Sequence, residues 1–152
     1  MKIILLPFLL LNLIALSQGP SRVHFEYAIN FIDHKESTVT VKCYLNNSSN
    51  DTVYFRNYSC SGAEDLIRYD KESYSGRKQI MCNFTMAIVS EIPPDGVFEF
   101  VTKIHVKDNS KPLELGFMFM EVFDRNDVKF FNSYEDNPKK TIWAKEAYHI
   151  EI

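Results

Sequence analysis

Apolar residues return at every second position along most of this chain, and a period of two is the mark of half-buried β-strands. From Arg22 to Asp33 it places Val23, Phe25, Tyr27, Ile29 and Phe31 on one face. From Thr38 to Asn46 it places Val39, Val41, Cys43 and Leu45 together, and a third strand follows from Asp51 to Ser59. Further strands are expected over Gln79–Val89, Val97–Lys107, Leu113–Asp124 and Thr141–Ile152, with a short one at Val128–Phe131. No segment shows a helical period of useful length. The expected fold class is therefore all-β, an immunoglobulin-like antiparallel β-sandwich of about seven strands. Connections of varied length favour that over an up-and-down barrel.

The punctuation between strands is chemically specific. Asn46–Asp51 is a run of Asn, Ser and Asp that bond their own backbone, and it reads as a hairpin loop. Pro93-Pro94-Asp95-Gly96 reads as a tight turn in which proline presets φ and glycine supplies a positive φ. The segment Gly62–Gln79 is polar and reads as a long crossing loop, with at most one helical turn at Ala63–Arg68. The strand Leu113–Asp124 is apolar on both faces, which suggests a central strand covered on each side, or an interface.

The chain's beginning speaks to compartment. Lys2 precedes an apolar run from Ile3 to Leu16, and Ala15 and Ser17 suit a small-residue cleavage site after Ser17. Residues 1–17 are read as a secretory signal peptide and 18–152 as one β-sandwich domain. An uncleaved anchor is the rival reading, but Pro7 and Asn12 interrupt a run that is close to the minimum of about 18 residues for a span. No later segment is long and apolar enough to cross a bilayer, so no membrane span is expected after cleavage. The expected location is secreted or periplasmic.

The formal net charge of −3 becomes one unit more acidic when Lys2 leaves with the signal. Lys and Arg are scattered rather than clustered, so no nucleic acid is expected as a partner. Three cysteines in an oxidising compartment allow one bridge and one thiol left over. Cys43 lies on an apolar strand face and reads as a buried thiol. Cys60 and Cys82 are then expected to pair, closing a loop of about 20 residues and stabilising by about 3 kcal/mol through the unfolded chain's lost entropy.

The segment from Tyr44 through Asn46-Asn47-Ser48 to Phe55, then Tyr58-Ser59-Cys60-Ser61, a later Cys82 and a Pro-Asp-Gly turn before a Phe-rich strand, resembles uncharacterised exported immunoglobulin-like sandwich proteins of Bacteroidetes-type bacteria. The resemblance covers roughly Thr38–Val106. Gly62 stands where that group carries an aromatic residue after Ser-Cys-Ser. It implies a sandwich fold, a periplasmic or surface location and the 60–82 bridge, and no activity.

Candidate chemistry is sparse. No Gly-x-Ser-x-Gly, His-Glu-x-x-His or phosphate-binding glycine loop occurs, so no cofactor is expected. His24 with Glu26, and His149 with Glu151, each share a strand face. If first and last strands were neighbours, these four would suit zinc; the alternative is solvent-facing polar residues. His105 is also read as outward. Asp124, Asn126 and Asp127, with Glu135 and Asp136, offer oxygen ligands or a solvated turn. Asn46, Asn47, Asn50, Asn57 and Asn83 each begin an Asn-x-Ser/Thr sequon, which in a eukaryotic secreted protein would accept glycans. Three functions fit. The foremost is a non-catalytic module binding a protein or glycan partner through a sheet face or edge, near Tyr54, Tyr58, Tyr69 and Tyr74. The others are an inhibitor of a protease or other hydrolase presenting the 62–79 loop, and a metal-dependent hydrolase built on the His-x-Glu pairs.

Overall fold

The structure, a computed structural model, describes residues 22–60, 62–77, 86–123, 125 and 140–152. The expected signal segment, the strand at Val128–Phe131, the acidic cluster at Asp124, Asn126, Asp127, Glu135 and Asp136, and Cys82 lie outside the described residues. The chain order is β1 (Val23–Asp33), β2 (Thr38–Asn47), β3 (Val53–Tyr58), a 3-10 helix (Gly62–Leu66), β4 (Ile67–Arg68), β5 (Tyr74–Arg77), β6 (Ala87–Ile92), β7 (Val97–Val106), β8 (Gly116–Phe119), β9 (Glu121–Val122) and β10 (Lys140–Trp143). All the strand pairs are antiparallel. The fold is all-β and sandwich-like.

One sheet has the order β1-β2-β7-β5. Opposite it lie two three-stranded pieces, β10-β8-β4 and β6-β3-β9. These pieces share one continuous stretch of chain, because β8 and β9 are separated only by Met120. Alternation sets the packing as expected. Val23, Phe25 and Tyr27 of β1 and Val39, Val41, Cys43 and Leu45 of β2 are buried, while His24 and Glu26 between them face out. Aromatic rings join the layers: Phe117 lies 5.9 Å from Phe25 and 5.8 Å from Phe100, and Phe55 meets Phe98 edge-on at 5.1 Å. Edge-to-face contacts of this kind add about 0.5–1.5 kcal/mol to the burial of the rings.

Several elements depart from the sequence expectation, each for a physical reason. The register of β1 against β2 shifts between Ile29 and Phe31, and the bulge turns Phe31 outward to 59% exposure instead of continuing the buried face. Asn46–Asp51 is not a hairpin loop. β2 already pairs with β1 on one side and β7 on the other, so β3 must leave for the opposite layer. Gly62–Gln79 is not simply a loop: its described part forms the 3-10 helix, β4 and β5, and Ala63, Leu66, Ile67 and Tyr74 enter the core. Leu113–Asp124 does not run as one strand. Its apolar residues from Leu113 to Val122 are buried or half-buried on both faces, but Phe123 is exposed and the stretch splits into β8 and β9, with the Met120 carbonyl accepting from the Arg56 amide where the chain changes partners. The last strand stops at Trp143, with one isolated bridge further on between Leu113 and Tyr148. At the Pro93–Gly96 turn Asp95, not the glycine, takes the positive φ of 50°. Gly96 is needed there because a Cβ would lie 2.8 Å from the Pro93 carbonyl oxygen.

Candidate functional site

β1 and β10, which are edge strands among the described residues, border a cleft of about 520 Å³. Small-molecule sites run roughly 300–1,000 Å³. Its walls are His24, Glu26, Tyr27 and Tyr44 from the first sheet and Trp143, Lys145, Glu146 and Tyr148 from the chain around and after β10. The floor is rigid. The buried Tyr27 hydroxyl donates to the Leu113 carbonyl at 2.5 Å, and its ring meets Tyr148 edge-on at 5.2 Å. Burial raises the Tyr27 phenol well above its ordinary value, so it stays a neutral donor. Tyr148 donates to the Glu146 carboxylate at 2.7 Å, and that bond raises the Tyr148 phenol as well.

Trp143 is an exposed large apolar group on this wall, at 54%. Its orientation comes from the strand beneath. Trp143 pairs with Gly116 of β8, and a Cβ on Gly116 would lie 2.9 Å from the indole Cδ2 and Cε3. Glycine therefore lets the indole lie close over the β8 backbone. The same side chain lines a second hollow of about 310 Å³, with Tyr69, Asp70, Lys111, Pro112 and Glu114. There Asp70 accepts from Lys111 Nζ at 2.9 Å and Ser73 Oγ at 3.2 Å. The bond to Lys111 is the main reason the Asp70 carboxyl lies below its ordinary value, and it raises the Lys111 ammonium in return. A third hollow of about 340 Å³ lies beside Glu64, Asp65, Arg68 and Lys71.

The residues singled out from sequence separate in space. His24 and Glu26 reach the cleft, whereas His149 and Glu151 are exposed and do not line it. Among the described residues, no three of His, Cys, Asp or Glu gather closely enough to hold a metal ion. His105 is half-buried on β7. Ser48 Oγ lies 3.3 Å from His24 Nε2 and donates to the Arg22 carbonyl at 3.2 Å. A hydroxyl has one hydrogen. Ser48 gives it either to Arg22 or to His24, and the tautomer of His24 decides which of the pair donates. Cys43 is a free, buried thiol, and burial pushes it up to about 12, far from a reactive thiolate.

Sequence reasoning missed four groups that matter here. Tyr27 stood only among the alternating residues of the first expected strand, and Trp143 and Tyr148 fell inside the last expected strand, Thr141–Ile152, with no role assigned. Asn47, read as a turn residue and a sequon, is buried at 2% exposure and binds chain from two connections. Its Nδ2 donates to the carbonyls of Asp51 at 2.8 Å, Ile92 at 3.1 Å and Pro93 at 3.0 Å. Of the four tyrosines expected near a binding surface, Tyr74 is buried, and Tyr54, Tyr58 and Tyr69 are half-buried. No protein-family model matches the chain, and no curated protein matches it.

Proposed function

We propose that this chain is a secreted or periplasmic, non-catalytic binding module whose protein or glycan partner seats in the cleft between β1 and β10. The observation that carries this reading is an indole half in solvent, laid on a glycine at the rim of a cleft of about 520 Å³. Rigid aromatic side chains with mixed polar neighbours supply contact area at little entropic cost. Export is supported by the signal-like Met1–Ser17. An oxidising compartment also suits a bridge between Cys60 and Cys82, which leaves Cys43 as the free thiol. The resemblance to exported immunoglobulin-like proteins of Bacteroidetes-type bacteria points to the same compartment. An inhibitor presenting residues 62–79 is the weaker reading, because Leu66 and Tyr74 anchor that segment in the core and leave less of it to present.

The test compares the chain with a Glu26→Ala/Trp143→Ala variant for binding to insoluble cell-wall polysaccharides and to a displayed random peptide library. Binding lost in the variant, with an unchanged circular-dichroism melt, is the expected result. Ligands that bind both proteins equally would place recognition elsewhere. Hydrolysis of ester, amide or glycoside substrates that His24→Ala or Glu26→Ala abolishes would overturn the non-catalytic reading.

A further inference from the structure

We infer that Trp143 is a stacking platform for a neutral glycan chain, which runs across the indole from the β1–β10 cleft into the hollow beside Asp70 and Lys111. The inference rests on the binding-module reading and names its ligand class.

Trp143 lines both hollows, so it joins two recesses of about 520 and 310 Å³ whose linings mix apolar surface with charged side chains. A ligand that fills both must pass over it. The indole is held against β8 because Gly116 has no side chain to lift it. A flat apolar ring fixed in this way matches the flat C–H face of a pyranose, and a second sugar on either side reaches polar groups.

Those groups suit hydroxyls. The cleft offers His24, Glu26, Lys145 and Glu146, and the hollow offers Asp70, Lys111 and Glu114. Both recesses hold donors and acceptors, and a sugar hydroxyl both donates and accepts. The carboxylates outnumber the ammonium groups, and Lys111 is already bound to Asp70 at 2.9 Å. An anionic polysaccharide would meet net repulsion here. A lipid would leave these charged groups desolvated without partners. A peptide adding as a strand needs a long, straight, open edge. The register of β1 breaks between Ile29 and Phe31, and β10 has four residues among those described. The geometry therefore favours a ligand that lies on the ring over one that joins the ladder.

The chain contains a single tryptophan, so its fluorescence reports on Trp143 alone. The experiment measures acrylamide quenching of the intact chain while neutral β-linked hexasaccharides of glucose, mannose, xylose and N-acetylglucosamine are added. Oligogalacturonate serves as the anionic control and a random dodecapeptide pool as the peptide arm. The expected result is shielding of Trp143 by at least one neutral hexasaccharide and none by oligogalacturonate. The matching disaccharide, able to fill one recess, should bind about tenfold more weakly, a difference of about 1.4 kcal/mol. By calorimetry Trp143→Ala should lose binding and Trp143→Phe retain part of it, while Glu114→Ala weakens the hexasaccharide through the second recess. Shielding by the peptide pool but by no neutral sugar would overturn the glycan inference and leave the binding-module reading standing. Equal or tighter binding of oligogalacturonate would overturn the neutral-ligand argument. Shielding by none of these probes would overturn both.

Discussion

Replacing Asn47 should loosen the connection between the two layers more than any exposed substitution on the same turn. Asn47 ends β2, and its amide reaches carbonyls on the β2–β3 connection and on the turn after β6. Its Oδ1 accepts from the Ser49 amide at 3.0 Å and from Ser49 Oγ at 2.7 Å. The amide nitrogen has two hydrogens shared among three carbonyls, so about four full hydrogen bonds disappear in Asn47→Ala. Each contributes a net of about 0.5–1.5 kcal/mol. Asp51 and Pro93 are exposed, so water recovers part of the loss for their carbonyls, whereas Ile92 is fully buried. The expected cost is about 2–4 kcal/mol, a large part of the roughly 5–15 kcal/mol that holds a domain together. With a urea slope of about 1–3 kcal/mol/M the unfolding midpoint should fall by roughly 1–2 M. Asn47→Asp sharpens the test. It keeps the acceptor oxygen but turns a negative oxygen towards three carbonyls, so at neutral pH it should be at least as damaging as alanine. Burial raises such a carboxyl, so the variant's stability is greatest below the unfolded value of about 3.9 and is lost as pH rises through the folded value. The Asn47→Asp chain should therefore recover relative to wild type on acidification. A midpoint within experimental error of wild type for either variant would refute the account of this corner.

Four further outcomes follow from the same structure. Cys43 rises from 9.0 to about 12 on burial, so the unfolded chain releases its proton first; that stabilisation is full below pH 9 and lost as pH climbs towards 12, at up to about 1.4 kcal/mol per pH unit. Alkaline melts of Cys43→Ala should lose this part of the slope, and an unchanged slope would sink the assignment. Tyr27→Phe removes the bond to the Leu113 carbonyl and should cost about 1–2 kcal/mol in thermal unfolding; an unaltered melting temperature would show that bond to be idle. Under denaturing, non-reducing conditions one thiol should react with an alkylating probe, mapping to Cys43, and labelling of Cys60 or Cys82 would disprove the proposed bridge. Passed through a eukaryotic secretory pathway, the chain should carry glycan at the exposed Asn50, because Asn47 and Asn57 are buried with their Nδ2 groups bonded; peptide mapping that finds glycan on Asn57 in folded protein would contradict the burial.

The amino-acid sequence by itself determined which residues face inward along β2 and along β1 as far as Tyr27. Steric alternation is local, and Val39, Val41, Cys43 and Leu45 need no knowledge of the rest of the chain to share a face. It also marked the turns at Asn46–Asp51 and Pro93–Gly96 and the doubly apolar Leu113–Val122. It could not say which strands are neighbours. That choice is made by hydrogen-bonding edges already taken: with β1 and β7 on both sides of β2, the Asn-Ser turn becomes a crossing between layers. The polar look of Gly62–Gln79 hid Leu66 and Tyr74 because a few anchors can bury a segment whose average composition is hydrophilic. The cleft was illegible for the same reason. It exists only because β1 and β10, far apart in the chain, end as facing edges, and because a glycine in β8 lies under Trp143. Side-chain periodicity is a property of the backbone within one strand; strand order, corners and clefts are properties of how many strands compete for the same edges.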